Sequence, residues 1–285
     1  MFGPDHFTWA SLLFSSSLGY YRLPVPAERE RESMELEAGS KSDGNSKKRV
    51  LVTFDIDGTL IVSTGLNSNR LHRQAFAYAL QQVFGINDAS IDVIPHHGST
   101  DPAILLNTAV YYGISSDLAA EKLPEMKSKM VEYAINNAKH VGEGLEVIPG
   151  VDSLLDVLSS KNVHVGLVTG NLEDIAWIKM EGLGLRKHFS VPNFGGFGSD
   201  NIDRGELVKI AAARAEKLFP GGFDLRVHVG DTPNDIKAAE FGGALAVGVC
   251  TGVFSRAELE IASNGTAIIL PDLTDFKGFV HLLGF

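Results

Sequence analysis

The sequence predicts an α/β protein: a doubly wound, Rossmann-like parallel sheet core with an all-helical cap domain inserted after the first strand. Three features predict it. Short apolar, β-branched runs alternate with helical patterns from Arg49 onward, the order expected of a parallel sheet with helices on both faces. One interval, residues 67–145, carries helical patterns only. Pairs of acidic residues stand where two of the apolar runs end, and open α/β sheets bind ligands beyond their carboxyl ends.

The chain opens on an appendage, residues 1–49. Residues 7–21 are apolar and serine-rich but too few to span a bilayer. Asp5 stands where a secretory signal would place a basic residue. Residues 28–49 are dominated by charge with Gly and Ser between, so they bury too little apolar surface to offset the entropy of ordering. A disordered tail is expected here, with a targeting segment as the second reading and the cytoplasm or an organelle as the matching locations.

At Arg49 the texture changes. Arg49-Val50-Leu51-Val52-Thr53-Phe54 reads as a strand buried on both faces. Residues 163–168, 225–229 and 244–249 read as three more. Residues 151–158 read as a helix, with Val151, Leu154, Leu155 and Leu158 on one face; residues 172–180 and 206–218 read likewise. Within the interval, Arg70 to Phe84 carries apolar residues at Leu71, Phe76, Ala79, Leu80 and Val83, and residues 102–112 and 118–139 continue the helical pattern. The expected division is a core of residues 50–66 and 146–285, with a cap of residues 67–145. Pro149-Gly150 reads as the turn back into the core, and the glycine-rich residues 194–198 as a loop.

Composition bounds the function. The chain has 285 residues, 35 acidic and 25 basic, for a formal net charge of −10. Acidic and basic residues balance over residues 1–49, so the charge belongs to the rest. Such a protein is a poor general ligand for nucleic acid or anionic membrane; neither is an expected partner, and a monomer or weak homodimer is expected. The single cysteine, Cys250, excludes an internal disulfide and a multi-cysteine zinc site; it reads as a small buried residue in an apolar run and fits a reducing compartment. An acidic protein that handles an anionic substrate needs concentrated positive potential, which a divalent cation supplies.

Three stretches carry chemistry. The first strand runs into Asp55-Ile56-Asp57-Gly58-Thr59-Leu60. Two carboxylates so close repel unless a cation stands between them, and Gly58 permits a turn. A later strand runs into Gly230-Asp231-Thr232-Pro233-Asn234-Asp235. Asp55, Asp57, Asp231 and Asp235 form an oxygen donor set suited to Mg²⁺ rather than zinc or copper. Between them lies Thr169-Gly170-Asn171, where backbone N–H groups and a hydroxyl at a helix start can grip a phosphate.

These three motifs, in this order and spacing, resemble the haloacid dehalogenase-like hydrolase superfamily over essentially all of residues 50–285. The resemblance implies Asp55 as the nucleophile that forms an aspartyl-phosphate. It implies Asp57 as the acid for the leaving oxygen and the base for the attacking water. It implies Mg²⁺ held by Asp55, the backbone carbonyl of Asp57 and Asp231, with Asp235 a ligand directly or through water. Thr169 would bind the phosphoryl group, with Gly170 and Asn171 shaping its loop. The family places a basic residue, usually lysine followed by proline, ahead of its last motif. That pair is missing here, and Arg204 is the expected replacement, with Lys209 as fallback.

The helical insert resembles the cap of phosphoglycolate-phosphatase-like members around Gly98-Ser99-Thr100-Asp101-Pro102-Ala103-Ile104-Leu105. Thr100 and Asp101 have two readings, as caps of the following helix or as substrate contacts. His96 and His97 are further candidate contacts, as are Ser63, Thr64 and Asn67 near the expected hinge. The leading expectation is an Mg²⁺-dependent phosphatase of a small phosphorylated metabolite. A phosphomutase of the β-phosphoglucomutase type is the alternative; it needs extra basic groups in the cap, drawn from Arg70, Arg73, Lys122, Lys127, Lys129 and Lys139. A non-catalytic binding protein on the same fold is a third reading.

Overall fold

The computed structural model describes residues 48–285 apart from 162 and 264; the expectation for the N-terminal appendage falls on residues outside this range, bar the last two. The core is a six-stranded sheet, wholly parallel, built from β1 (Val50–Phe54), β4 (His164–Thr169), β5 (Gly195–Phe197), β6 (Leu225–Gly230), β7 (Leu245–Val249) and β8 (Ile268–Leu270). Their spatial order is β5-β4-β1-β6-β7-β8. β1 is buried at every position, as a central strand covered on both faces must be. It pairs Val52 with Val165 on one side and with Val227 on the other.

Helices cover both faces. On one, α4 (Val151–Ser160), α5 (Glu173–Gly182) and α9 (Phe276–Leu282) bury Leu154, Leu155, Leu158, Met180 and Phe279 against Val52, Phe54 and Val229. On the other, α6 (Arg204–Leu218) and α7 (Pro233–Phe241) pack Leu207, Val208, Ala211 and Ala238 against Val168, and α8 (Arg256–Ala262) adds Leu259. α4 buries one apolar stripe, Val151, Leu154, Leu155 and Leu158. Cys250 is partly buried beside the Leu259 group.

Between β1 and α4 the chain leaves the sheet. β2 (Ile61–Ser63) and β3 (Leu145–Val147) form a separate antiparallel ribbon, pairing Ile61 with Val147 and Ser63 with Leu145. α1 (Arg70–Phe84), α2 (Asp101–Tyr111) and α3 (Ser116–Asn136) lie between them. They have their own apolar cluster, with Phe76, Leu80, Leu105, Met126 and Met130. Two core residues of the β4–α5 segment, Leu172 and Ile175, belong to that same cluster, whereas Ala176, Trp177 and Met180 pack into the sheet. Helix α5 is thus seated between the two apolar clusters.

Residues 194–198 correct an expectation. They are not a loop: Gly195 to Phe197 form the edge strand β5, paired with β4 from Leu167 to Thr169. The glycines hide the strand in the sequence, and packing explains them. A β-carbon on Gly196 would collide with the Leu207 carbonyl, so glycine lets α6 lie directly on the strand. Gly150 serves the turn into α4, at φ 91°.

Candidate active site

β1, β4 and β6 deliver the three motifs to one end of the sheet. Sheet order reverses direction at β1, since the chain first builds outward through β4 and β5 and then restarts at β6 on the other side. That is the topological switch point, where a crevice opens beyond the carboxyl ends of the strands. A cavity of about 420 Å³ lies there, a size ordinary for small-molecule sites. Asp55, Asp57, Thr169, Gly170, Asn171, Arg204 and Asp231 line it from the core; His72, Arg73, Phe76, His96, His97 and Asp101 line it from the insert.

Asp55 follows β1 directly and is 4% exposed. Its backbone N–H donates to Val229 O at 2.9 Å, which carries the pleat of β1 one residue past its end. Asp231 follows β6 and accepts from Thr59 Oγ1 at 3.1 Å. Asp235 sits in the first turn of α7, inside a capping box with Thr232. Its Oδ2 accepts from Thr232 N at 3.0 Å and from Thr232 Oγ1 at 2.6 Å. Its Oδ1 is left for the site, where His228 Nε2 lies at 3.3 Å. Helix capping therefore fixes a site carboxylate.

The basic partner is Arg204. Its Nη2 lies 2.6 Å from Asp55 Oδ1 and 2.6 Å from Asp235 Oδ1. Both are buried ion pairs, and the Nε of Arg204 is buried without a hydrogen-bond partner. Arg204 Nη1 donates to Gly98 O at 3.3 Å. Lys209, the other candidate, faces away: it pairs with Glu206 at 3.1 Å and covers the Phe241 ring.

One arginine does not balance three buried acids. Burial, with help from Asp235 and Asp57 and against the pull of Arg204, raises Asp55 to about 6. Burial, then Asp235 and Asp55, raise Asp231 to about 8. Burial pushes Asp235 upward too, but Arg204 and His228 outweigh it and hold this carboxyl well below the usual range. The donor set fits a hard divalent cation: Asp55, Asp231 and Asp235 each offer an oxygen, and these atoms lie within 4.8 Å of one another. Gly58 and Gly252 crowd Asp231, and a β-carbon on either would run into its carboxylate.

The Asp57 carboxylate lies outside this triad and looks the other way. Lys179 Nζ donates to its Oδ1 at 2.8 Å and its Oδ2 at 2.7 Å. Asn171 Nδ2 donates at 2.9 Å and Asn69 Nδ2 at 3.3 Å. Burial would raise Asp57, but the charge and hydrogen bonds of Lys179, with the hydrogen bond from Asn171, hold it below the ordinary carboxylate value.

Of the candidate contacts on the insert, His96, His97 and Asp101 line the cavity, as does Ser63. Burial, then His96, hold the His97 ring below its ordinary value. Thr100 does not line the cavity; it is 2% exposed and donates to Ile202 O at 3.1 Å. Thr64 turns to Glu146 at 3.3 Å, and Asn67 is replaced at the wall by Ser68 and Asn69. Asp101 does not cap its own helix. Its Oδ2 accepts from Leu172 N at 2.8 Å and meets His72 Nε2 at 3.0 Å.

Lys179 and His72 are absent from the sequence expectations, yet both left a trace. Lys179 falls on the stripe set by Leu172, Ile175 and Ala176 of a helix that buries that stripe, and His72 lies one turn before Phe76. A charged residue on an apolar face needs a buried partner.

The family model for haloacid dehalogenase-like hydrolases matches residues 50–243. A phosphoglycolate phosphatase of Chromobacterium violaceum is 26% identical over 209 residues, 73% of this chain and 88% of that one. Among solved structures, a predicted phosphatase of Clostridium acetobutylicum superposes with a TM-score of 0.60 at 18% identity, over 82% of this chain and 100% of the other. A predicted phosphoglycolate phosphatase of Haemophilus somnus gives 0.58 at 20% identity, over 82% and 99%. At those identities the superpositions speak for the fold. Among the described residues, no helix is long and apolar enough to cross a membrane.

Proposed function

Because this chain belongs to the haloacid dehalogenase-like hydrolases, we propose that it hydrolyses the phosphate ester of a small metabolite through an aspartyl-phosphate on Asp55. One observation carries the reading: at a single strand end, Asp55 is tied to Arg204 and two further acids while Asp57 is tied to Lys179. In the forward step Asp55 attacks phosphorus and the ester oxygen leaves with the bonding electrons. Asp57, on the cavity wall and ionised at rest, takes up the proton of the phosphate monoanion, passes it to that leaving oxygen, and then takes one from the water that cleaves the aspartyl-phosphate. Thr169 and Arg204 hold the phosphoryl oxygens, the arginine as a fork rather than a point charge. Mg²⁺ held by Asp55, Asp231 and Asp235, with the Asp57 carbonyl, would neutralise the repulsion between carboxylate and phosphate. The Chromobacterium violaceum relative is a phosphoglycolate phosphatase, which supports a small phosphorylated substrate.

The insert's basic residues favour a phosphatase over a mutase. Of those weighed, only Arg73 lines the cavity, and it is engaged with Asp92 at 2.9 Å. Lys122 and Lys129 pair with Glu125 and Glu132, Arg70 with Glu143, and Lys127 donates to Ser199 O. A second phosphate would find few free cations.

The test is a phosphate-release screen over sugar, acid and nucleotide phosphates, with Mg²⁺ or EDTA, for wild type and Asp55→Asn. Release that needs both Mg²⁺ and Asp55 is expected. No release from any compound would overturn the reading and bring mutase assays forward.

A further inference from the structure

Lys179 is completely buried, and a lysine taken out of water is costly unless it is paired and hydrogen-bonded. It lies on α5, it does not line the cavity, and it therefore cannot touch a substrate. Its bonds go to both oxygens of Asp57 and to His72 Nδ1, at 3.1 Å. His72 Nε2 in turn meets Asp101 Oδ2. One tautomer satisfies the whole chain: Lys179 donates to His72 Nδ1, and His72 Nε2–H donates to Asp101. Asp101 is itself fixed, since its backbone N–H donates to Gly170 O at 2.8 Å and its Oδ2 accepts from Leu172 N.

The geometry points to Lys179 as a positioning residue for the departure of the leaving group, acting through Asp57 and held in place by His72 and Asp101. Resting on the assignment of Asp57 above, the inference adds where its aim comes from. Asp57 is the one acid of the site whose carboxylate is partly open to the cavity, at 32% of its side chain. Once protonated, a carboxyl group on a flexible χ2 passes its proton well only when its plane is fixed, and Lys179 fixes that plane by bonding both oxygens. The clamp draws on two parts of the fold. Lys179 belongs to the core, while His72 and Asp101 belong to the insert, so the aim of Asp57 depends on the insert being seated.

The test separates substrates by their need for a proton. A p-nitrophenolate leaves without help, whereas an alkoxide does not. The ratio of kcat/KM for p-nitrophenyl phosphate to that for an alkyl phosphate, glycerol 3-phosphate or whichever alkyl ester the screen finds, reads the acid step alone. With Mg²⁺-loaded full-length protein, Lys179→Met is expected to lose about 100-fold on the alkyl ester, within the usual span of general acid catalysis, and only a few-fold on the nitrophenyl ester. His72→Leu and Asp101→Asn should show the same split at smaller size, and they keep the test alive if Lys179→Met fails to fold. Equal losses on both esters, or no loss on either, would overturn the inference. Asp57→Asn is run beside them: if it shows the split and the Lys179, His72 and Asp101 variants do not, this inference falls and the assignment of Asp57 stands. If Asp57→Asn shows no split, the assignment falls and takes the inference with it.

Discussion

Asp55 and Asp57 leave the same strand with one residue between them, and the protein treats them oppositely. Asp55 is nearly sealed and surrounded by Asp231, Asp235 and Arg204, all from the core, and its carboxyl is pushed up to about 6. Asp57 has Lys179, Asn69, Asn171 and, one step back, His72; its carboxyl is held down. The first neighbourhood gathers three acids around one arginine, an oxygen set of the kind that suits a divalent cation. The second is complete without one. Two identical side chains acquire opposite electrostatic surroundings, the condition under which paired carboxylates can divide their work.

The largest way to break this comparison is Asp55→Asn. Phosphate release should fall about 10⁴-fold or more, as for loss of a nucleophile, while the near-ultraviolet circular dichroism stays native, because the change removes repulsion rather than packing. A loss no greater than that of Asp57→Asn on p-nitrophenyl phosphate would mean that the two acids do not divide the work.

Next in size is Arg204→Met. It strands Asp55 and Asp235 without their buried partner, and about 3–5 kcal/mol of stability should go, measured by urea unfolding in EDTA. Retention of Mg²⁺-dependent activity would show that the arginine balances charge without holding phosphate.

Metal and pH sharpen the contrast. Asp55 and Asp231 sit above their ordinary value of 3.8 in the metal-free fold. Their contribution to stability is therefore present below that value and is lost as pH rises through about 6 and about 8. Asp57 and Asp235 are held low, so their contribution is present above 3.8 and is lost only as pH falls below it. In EDTA the Tm should decline between about pH 5 and pH 8, and Mg²⁺ should raise the Tm more at about pH 8 than at pH 5, because the cation needs deprotonated ligands. An Mg²⁺ effect that is the same at both values would count against the acid triad as its site. The smallest expected effect is Lys209→Ala, an exposed pair: kcat should change less than about twofold and stability by under about 1 kcal/mol.

The acid motifs were legible because carboxylates at strand ends have few structural reasons to be there, and Arg204 because the resemblance calls for a basic residue ahead of the last motif and Arg204 stands just before the helix expected there. Lys179 was missed because periodicity sorts residues by face and hides the one polar residue inside a stripe. β5 was missed because Gly195-Gly196 carries no strand propensity; what selects those glycines is the backbone of α6 arriving from elsewhere. Strands of three residues, β2 and β3, hold too few positions for alternation to register. Thr100 and Asp101 read as helix caps from local order, but their partners, Ile202 and Leu172, are about a hundred and about seventy residues away, beyond the reach of any local rule.

The central place of β1 has a consequence for how the chain is made. Its neighbours in the sheet, and every acid that completes the Asp55 neighbourhood, come from much later in the sequence: Thr53 and His228, which meet across β1 and β6, are 175 residues apart. During synthesis β1 emerges early with both hydrogen-bonding edges bare and must wait for β4 and then β6. A ribosome-bound chain halted before β6 would hold the helical insert, yet β1 would still present an open apolar edge, the kind of surface that chaperones and aggregates both recognise. The second edge of β1 is thus covered only when β6 arrives, just before Asp231 and Asp235 complete the acid group around Asp55.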